Sequence, residues 1–223
     1  MTKIGVYIPT RGRPSELARC VESIFDTATD PDRVQVICYR DDDDTSYDDV
    51  DLPVTWITGP RVMLSKAWNI CYAAGDADVV CHGGDDIVFR SEHWDSMVEA
   101  VVESVPDRIA FVYGRDGHQD DKLGTHGFIT REWAEAVGYM VPPLFSHDYN
   151  DTWLNEVAAR IGRRMYLPDL FMEHMHWIWG KAPHDQTYLD HEQAGAEDNV
   201  AALWESTSSL RVRDAARLMA VMS

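Results

Sequence analysis

The chain has 223 residues, with 38 Asp plus Glu against 20 Lys plus Arg and a formal charge of −18. A content of 45% hydrophobic and 26% charged residues is that of a folded domain, so wholesale disorder is excluded and one α/β domain with a real core is expected. The acidity argues against a basic groove for nucleic acid and a polybasic membrane contact, and no apolar run reaches the roughly 18–20 residues that cross a bilayer.

Met1-Thr2-Lys3 leads directly into a strand-like IGVYIP, so no signal peptide is expected. Ile4–Pro9 reads as a buried strand ending in the turn Thr10-Arg11-Gly12-Arg13. Pro14 suits a first helical turn, and Leu17, Cys20, Val21, Ile24 and Phe25 form one helical face. Val34–Tyr39 is a second strand, closing on the acidic run Asp41–Asp44, and Val54–Ile57 is a third. Leu64, Ala67, Trp68, Cys71 and Tyr72 repeat the helical stripe up to Gly75. Val79–His82 is a fourth strand, followed by Gly83-Gly84-Asp85-Asp86. A helix through Trp94, Met97, Val98, Val101 and Val102 leads to a strand at Ile109–Tyr113.

The second half is less regular. Gly114–Gly127 reads as a polar, Gly- and His-rich loop, Gly127–Thr130 as a strand and Arg131–Val137 as a helix stopped by Gly138. Leu154, Val157, Ala158 and Ile161 mark another helix, and Met165–Leu167 and Phe171–Met175 two strands. A loop at Gly180–Asp190 precedes a helical tail from Ala194. Strands alternating with helices imply a largely parallel sheet, whose site gathers at the strand carboxyl ends. Cys20, Cys38, Cys71 and Cys81 show no CxxC spacing and read as reduced core thiols of a cytoplasmic-type protein.

In the order of these elements the sequence resembles the GT-A glycosyltransferases, particularly the inverting, family-2-like enzymes. The resemblance rests on Ile8-Pro9-Thr10-Arg11-Gly12-Arg13, Arg40-Asp41-Asp42, Leu64-Ser65-Lys66-Ala67-Trp68-Asn69, Gly84-Asp85-Asp86, Gly127-Phe128, Asn150-Asp151 and Glu173-His174-Met175-His176. It implies one Rossmann-like domain, with a nucleotide-sugar half at residues 1–113, an acceptor and catalytic half at 114–190 and a helical tail at 191–223. Two positions depart from the family pattern: the first residue of the DxD motif is Gly84, and the usual Glu-Asp pair reads Asn150-Asp151.

The resemblance further implies a hexosyltransferase-type reaction that moves a sugar from a nucleotide diphosphate, a UDP-sugar first, to an acceptor hydroxyl. A divalent Mn or Mg ion would neutralise the departing diphosphate. Asp86 is the first-choice ligand, with Asp85 as a ligand or an orienting group, and His174 or His176 completing the set. The two histidines lie two apart on an expected strand, so they share a face. The general base is Asp151, with Asp148 as its substitute and His147 orienting either; the plain role for Asp151 is a helix N-cap. Thr10, Arg11, Arg13, Asp41, Asp42, Lys66 and Asp85 are the nucleotide-sugar contacts. Seven of the eleven residues Asp41–Asp51 are Asp, so only the strand-proximal end of that run is assigned to the site. Trp177 and Trp179 either stack on a sugar or fill a corner of the core.

Two alternatives remain. A nucleotidyltransferase on a related sheet carries a Gly-rich basic loop after the first strand, which is missing here. A nucleotide-sugar or carbohydrate-binding protein without chemistry is the non-enzyme alternative, in view of Gly84. The acceptor is left open among protein, glycan, small molecule and modified DNA, with the charge weighing against nucleic acid.

Overall fold

The computed structural model describes residues 1–223. Strands β1 (Ile4–Thr10), β2 (Val34–Asp41), β3 (Thr55–Gly59) and β4 (Val79–His82) alternate with helices α1 (Pro14–Asp26) and α2 (Leu64–Ala74) much as the apolar patterning predicts. These strands pair in parallel in the order β3-β2-β1-β4. Beyond them come β5 (Ile87–Phe89), α3 (Trp94–Glu103), β6 (Phe111–Arg115), β7 (Gly127–Thr130), α4 (Arg131–Val137), α5 (Asn150–Arg160) and β8 (Arg164–His174). One sheet of eight strands runs through both halves of the chain, in the order β3-β2-β1-β4-β7-β6-β8-β5.

The sheet is mixed, where alternation alone implies a largely parallel one. β7 runs antiparallel to β4 and β6, and β5 runs antiparallel to β8. A loop without a crossover helix joins β6 to β7, and parallel neighbours need such a crossover. The two short strands expected at Met165–Leu167 and Phe171–Met175 are one strand, β8. Its first half pairs with β6 and its second with β5, across a register shift at Gly114/Arg115. Pro168 and Asp169 lie in the exposed middle, where no ladder donor is needed. A side chain at Gly114 would run into the Leu170 carbonyl, which fixes glycine at this crossing.

Alternation along the strands divides the core into two layers. Val34, Val36 and Cys38 of β2 face α1 and α3, while Ile37 and Tyr39 face α2, α4 and α5. Leu17, Cys20, Val21 and Ile24, the apolar stripe of α1, are fully buried, and each such aliphatic side chain contributes about 1.5–3 kcal/mol on leaving water. All four cysteines are free and buried. The tail forms α6 (Gln186–Asp198), α7 (Val200–Ser206) and α8 (Ser208–Met219), so helix begins before Ala194 and within the expected loop. α6 buries only Tyr188 and Gly195 and has no apolar stripe to announce it; the Asp185 side chain caps it by accepting from the Tyr188 amide. No helix is long and apolar enough to cross a membrane.

Because β1, β2 and β4 are parallel, their carboxyl ends open on one edge. Thr10, Asp41 and the Gly83–Asp86 turn meet there.

Candidate active site

A cleft of about 240 Å³ opens at this edge. Thr10, Arg11 and Arg13 reach it from the turn after β1, Asp41 from the end of β2, and Gly83–Asp86 from the end of β4. Arg61, His126, His147, Asp148, His174, His176, Tyr188 and His191 also line it, with an apolar wall that includes Val62, Leu64 and Trp68.

Asp85 and Asp86 are both buried but serve different neighbours. Thr10 Oγ1 donates to Asp85 Oδ2 at 2.7 Å, and Arg13 Nη1 lies 3.3 Å from Asp85 Oδ1. Tyr47, from the 3-10 turn Thr45–Tyr47 beyond β2, joins this corner through its hydroxyl, 2.6 Å from Thr10 Oγ1. Burial, with the Asp86 charge beside it, holds the Asp85 carboxyl above the usual carboxylate range.

Asp86 faces histidines. The register that pairs Ile87 with His174 brings the β8 terminus alongside the turn, and the Met175 amide donates to the Asp86 carbonyl at 2.7 Å. His174 Nε2 then lies 3.3 Å from Asp86 Oδ2. Burial would raise the Asp86 carboxyl, but His174 and His126 outweigh it and hold it well below its ordinary range. In return His174, despite burial, is raised by Asp86.

His126 joins them from the β6–β7 loop, its ring edge-on to His174 with centroids 4.8 Å apart. Asp116 folds that loop: its Oδ1 accepts from the amides of His118, Gln119 and Asp120, and its Oδ2 from Thr125 Oγ1. Burial lowers His126 to about 3, which leaves the imidazole neutral and able to ligate. One oxygen of Asp86 and one nitrogen from each of His126 and His174 all lie within 4.8 Å of one another. One carboxylate oxygen and two imidazole nitrogens at this spacing make a donor set that a divalent cation fits.

His176 does not belong to the cluster. β8 ends at His174, so strand parity does not carry on to residue 176. Its Nδ1 instead accepts from the Ile178 amide at 3.3 Å and caps the 3-10 turn Trp177–Trp179. The third nitrogen comes from His126, which the sequence presents only as the last residue of a His-rich loop before Gly127-Phe128.

Asp151 lies in the first turn of α5, whose N-cap is Tyr149, so it is not the cap. Its Oδ1 accepts from the amide and hydroxyl of Thr152, while Oδ2 accepts no hydrogen bond. Burial, together with nearby Asp148, raises it to about 6. Asp148 lines the cleft and is exposed, with Oδ2 turned toward Gly195 of α6. His147 bonds neither carboxylate; its ring stacks on His191 at 3.7 Å and its Nδ1 is unpartnered.

The cations of the cleft are all engaged by carboxylates. Arg11 Nη1 bonds Asp41 at 2.8 Å and Asp43 at 2.5 Å. Arg13 makes a fork with Asp185 at 2.8 and 2.7 Å, its guanidinium 3.9 Å from the centre of the Tyr188 ring. Arg61 bonds Asp190 at 2.7 Å. Tyr188 donates to Asp86 Oδ2 at 2.9 Å. Thus α6 and its cap lie over the cleft and hold three of its charged groups. Asp42, Lys66 and Asp151 do not line it; Asp42 and Lys66 are exposed, and Lys66 sits on α2 opposite the buried Ala67, Trp68 and Cys71. Trp177 and Trp179 stack on His184 and His118, at 3.9 and 4.1 Å, and neither is core.

No protein-family model and no curated protein matches the chain in sequence. Solved structures do match in shape. The mannosyltransferase PcManGT from Pyrobaculum calidifontis, in complex with GDP-Man and Mn2+, aligns over 98% of this chain and 74% of its own, with TM-score 0.62 and 15% identity. TarS of S. aureus aligns over 76% of this chain with TM-score 0.59 and 12% identity, and the match spans 36% of TarS. Its 1–349 portion in complex with UDP-GlcNAc matches with TM-score 0.57 over 57% of that portion. The chain has the GT-A fold. Within the GT-A frame, Gly84-Asp85-Asp86 follows β4 at the carboxyl edge of the parallel strands.

Proposed function

We propose that this GT-A protein is an inverting glycosyltransferase that takes a sugar from a nucleotide-diphosphate donor and passes it to an acceptor hydroxyl. The observation that carries the proposal is the convergence of Asp86, His126 and His174 at the strand-end cleft of a GT-A sheet. These three would hold the divalent cation, Mn or Mg. When bound, the ion supplies positive charge against the departing diphosphate.

The remaining roles fall to the chain's own groups. Asp41, held by Arg11 at the end of β2, is positioned to accept from ribose or base donors. Arg13 and Arg61 are the cations for the diphosphate once Asp185 and Asp190 give way. Asp85, fixed by Thr10 and Arg13, supports the backbone that presents Asp86. Asp151 takes the acceptor proton, with an unpartnered oxygen and a carboxyl raised to about 6 in its favour. A UDP-sugar is the first donor to test and a GDP-sugar the second, since structural neighbours of both kinds are known.

Calorimetric titration with UDP and GDP, with and without MnCl2, tests the reading. One nucleotide should bind, more tightly with Mn, and Asp86→Asn should abolish the Mn effect while leaving the metal-free affinity unchanged. Absence of binding by either nucleotide under both conditions would contradict it.

A further inference from the structure

The glycine at position 84 and the histidine at position 126 belong together. A Cβ built on Gly84 would lie 2.8 Å from Asp86 Oδ1 and 3.1 Å from His126 Nε2. A carboxylate side chain at position 84 must therefore displace either the Asp86 carboxylate or the His126 ring. Gly84 leaves that space, and the imidazole stands beside it.

From this geometry we infer that His126 replaces the missing first carboxylate of the motif, and that the resulting set of one carboxylate and two imidazoles selects Mn2+ over Mg2+. The inference rests on reading the cleft as a divalent-cation site, and it adds which ion the site takes and why.

Two observations support the pairing. First, the His126 ring is built in: the Asp116 carboxylate organises the loop that delivers it through four hydrogen bonds, three of them from consecutive amides. Second, the ring packs between His82 and His174, with centroids 6.2 and 4.8 Å away, so it has little freedom to leave. Mg2+ is a hard ion that keeps oxygen ligands and water, whereas imidazole suits the first-row transition metals. Exchanging a motif carboxylate for an imidazole also removes one negative charge from a site that already contains Asp85 and Asp86.

The test uses metal alone, with no nucleotide. Wild type, His126→Ala, Gly84→Asp and the double variant are titrated by calorimetry with MnCl2 and with MgCl2. Wild type should prefer Mn. His126→Ala should lose at least the roughly tenfold in Mn affinity that even outer-sphere partners of a metal contribute, while Mg affinity changes far less. Gly84→Asp alone should weaken Mn binding, and the double variant should bind Mg better than His126→Ala does. Because a variant can fail to fold, the decisive readout is electron-spin-echo modulation of Mn2+ bound to wild type, which should show two coordinated imidazole nitrogens. One coordinated imidazole, or equal affinity for Mn and Mg, would overturn the inference and leave the metal site standing. Failure of wild type to bind either ion would overturn the metal site itself, and the inference with it.

Discussion

Tyr188→Phe should destabilise the metal-free protein and tighten its grip on Mn2+, two effects of opposite sign from the loss of one oxygen. The Tyr188 hydroxyl donates to Asp86 Oδ2 at 2.9 Å, and Tyr188 is 4% exposed and Asp86 8%. Burial, reinforced by Asp86, holds the phenol above its ordinary value, so it acts as a donor. A hydrogen bond to a charged acceptor contributes about 1.5–3 kcal/mol. For a chain of this size each kcal/mol moves Tm by about 2–4 °C, so the metal-free variant should melt several degrees lower. The phenylalanine ring still fits beneath Arg13, so the packing of α6 is retained. A cation on Asp86 must displace the hydroxyl in wild type but not in the variant. Mn affinity should therefore rise by roughly 10- to 100-fold, since about 1.4 kcal/mol is worth a factor of ten. Thermal melting without metal and calorimetry with MnCl2 measure the two effects. Mn affinity equal to or below that of wild type would refute the reasoning that Tyr188 and the cation compete for the same oxygen.

Three further outcomes follow from the same geometry. Asp151→Asn should lower transfer by about 10²–10⁴-fold with nucleotide affinity unchanged; in wild type the rate should climb with pH up to about 6 and then level, because only the ionised carboxylate accepts the proton. A pH-independent rate between 5 and 8 (roughly the window in which such a base titrates) would count against Asp151. Arg61→Ala should weaken nucleoside-diphosphate binding, while Lys66→Ala should leave it unchanged, because Lys66 points away from the cleft; equal losses would refute the placement. Asp214→Ala should lower Tm by several degrees without altering metal or nucleotide affinity. It strands the buried Trp153 Nε1–H and the Tyr139 hydroxyl, each costing about 1–3 kcal/mol.

What the sequence conveys about this fold depends on how local the information is. β1 to β4 and their helices were readable because one apolar face per element is a local signal, and the parallel strand ends then placed Thr10, Asp41 and Asp86 together. Lys66 was readable too, from helical phase: with Leu64, Ala67, Trp68 and Cys71 on the inner side, residue 66 must face out. The resemblance to GT-A enzymes assigned it to the site by position in the motif, and Arg61, a few residues earlier, reaches the cleft in its place. His126 was not readable, because its approach to Asp86 is made by a loop wound around Asp116 and by the β5–β8 register, both long-range. His176 follows from the resemblance, and the strand parity that would put it on the His174 face ends at His174. α6 gave no apolar stripe, yet its Asp185, Tyr188 and Asp190 engage Arg13, Asp86 and Arg61. The net charge of −18 accordingly has a local use, since carboxylates of the chain already occupy the cations an anionic donor needs.

The most direct test is product analysis. The protein is incubated with MnCl2 and a panel of UDP- and GDP-sugars, and the released nucleotide is identified, since slow donor hydrolysis reports turnover even without an acceptor. Release of a nucleoside diphosphate from one donor is expected, dependent on Mn2+ and lost in Asp86→Asn. Release of pyrophosphate would show a nucleotidyltransferase, and tight donor binding with no turnover across the panel would show a binding protein; either result contradicts the account.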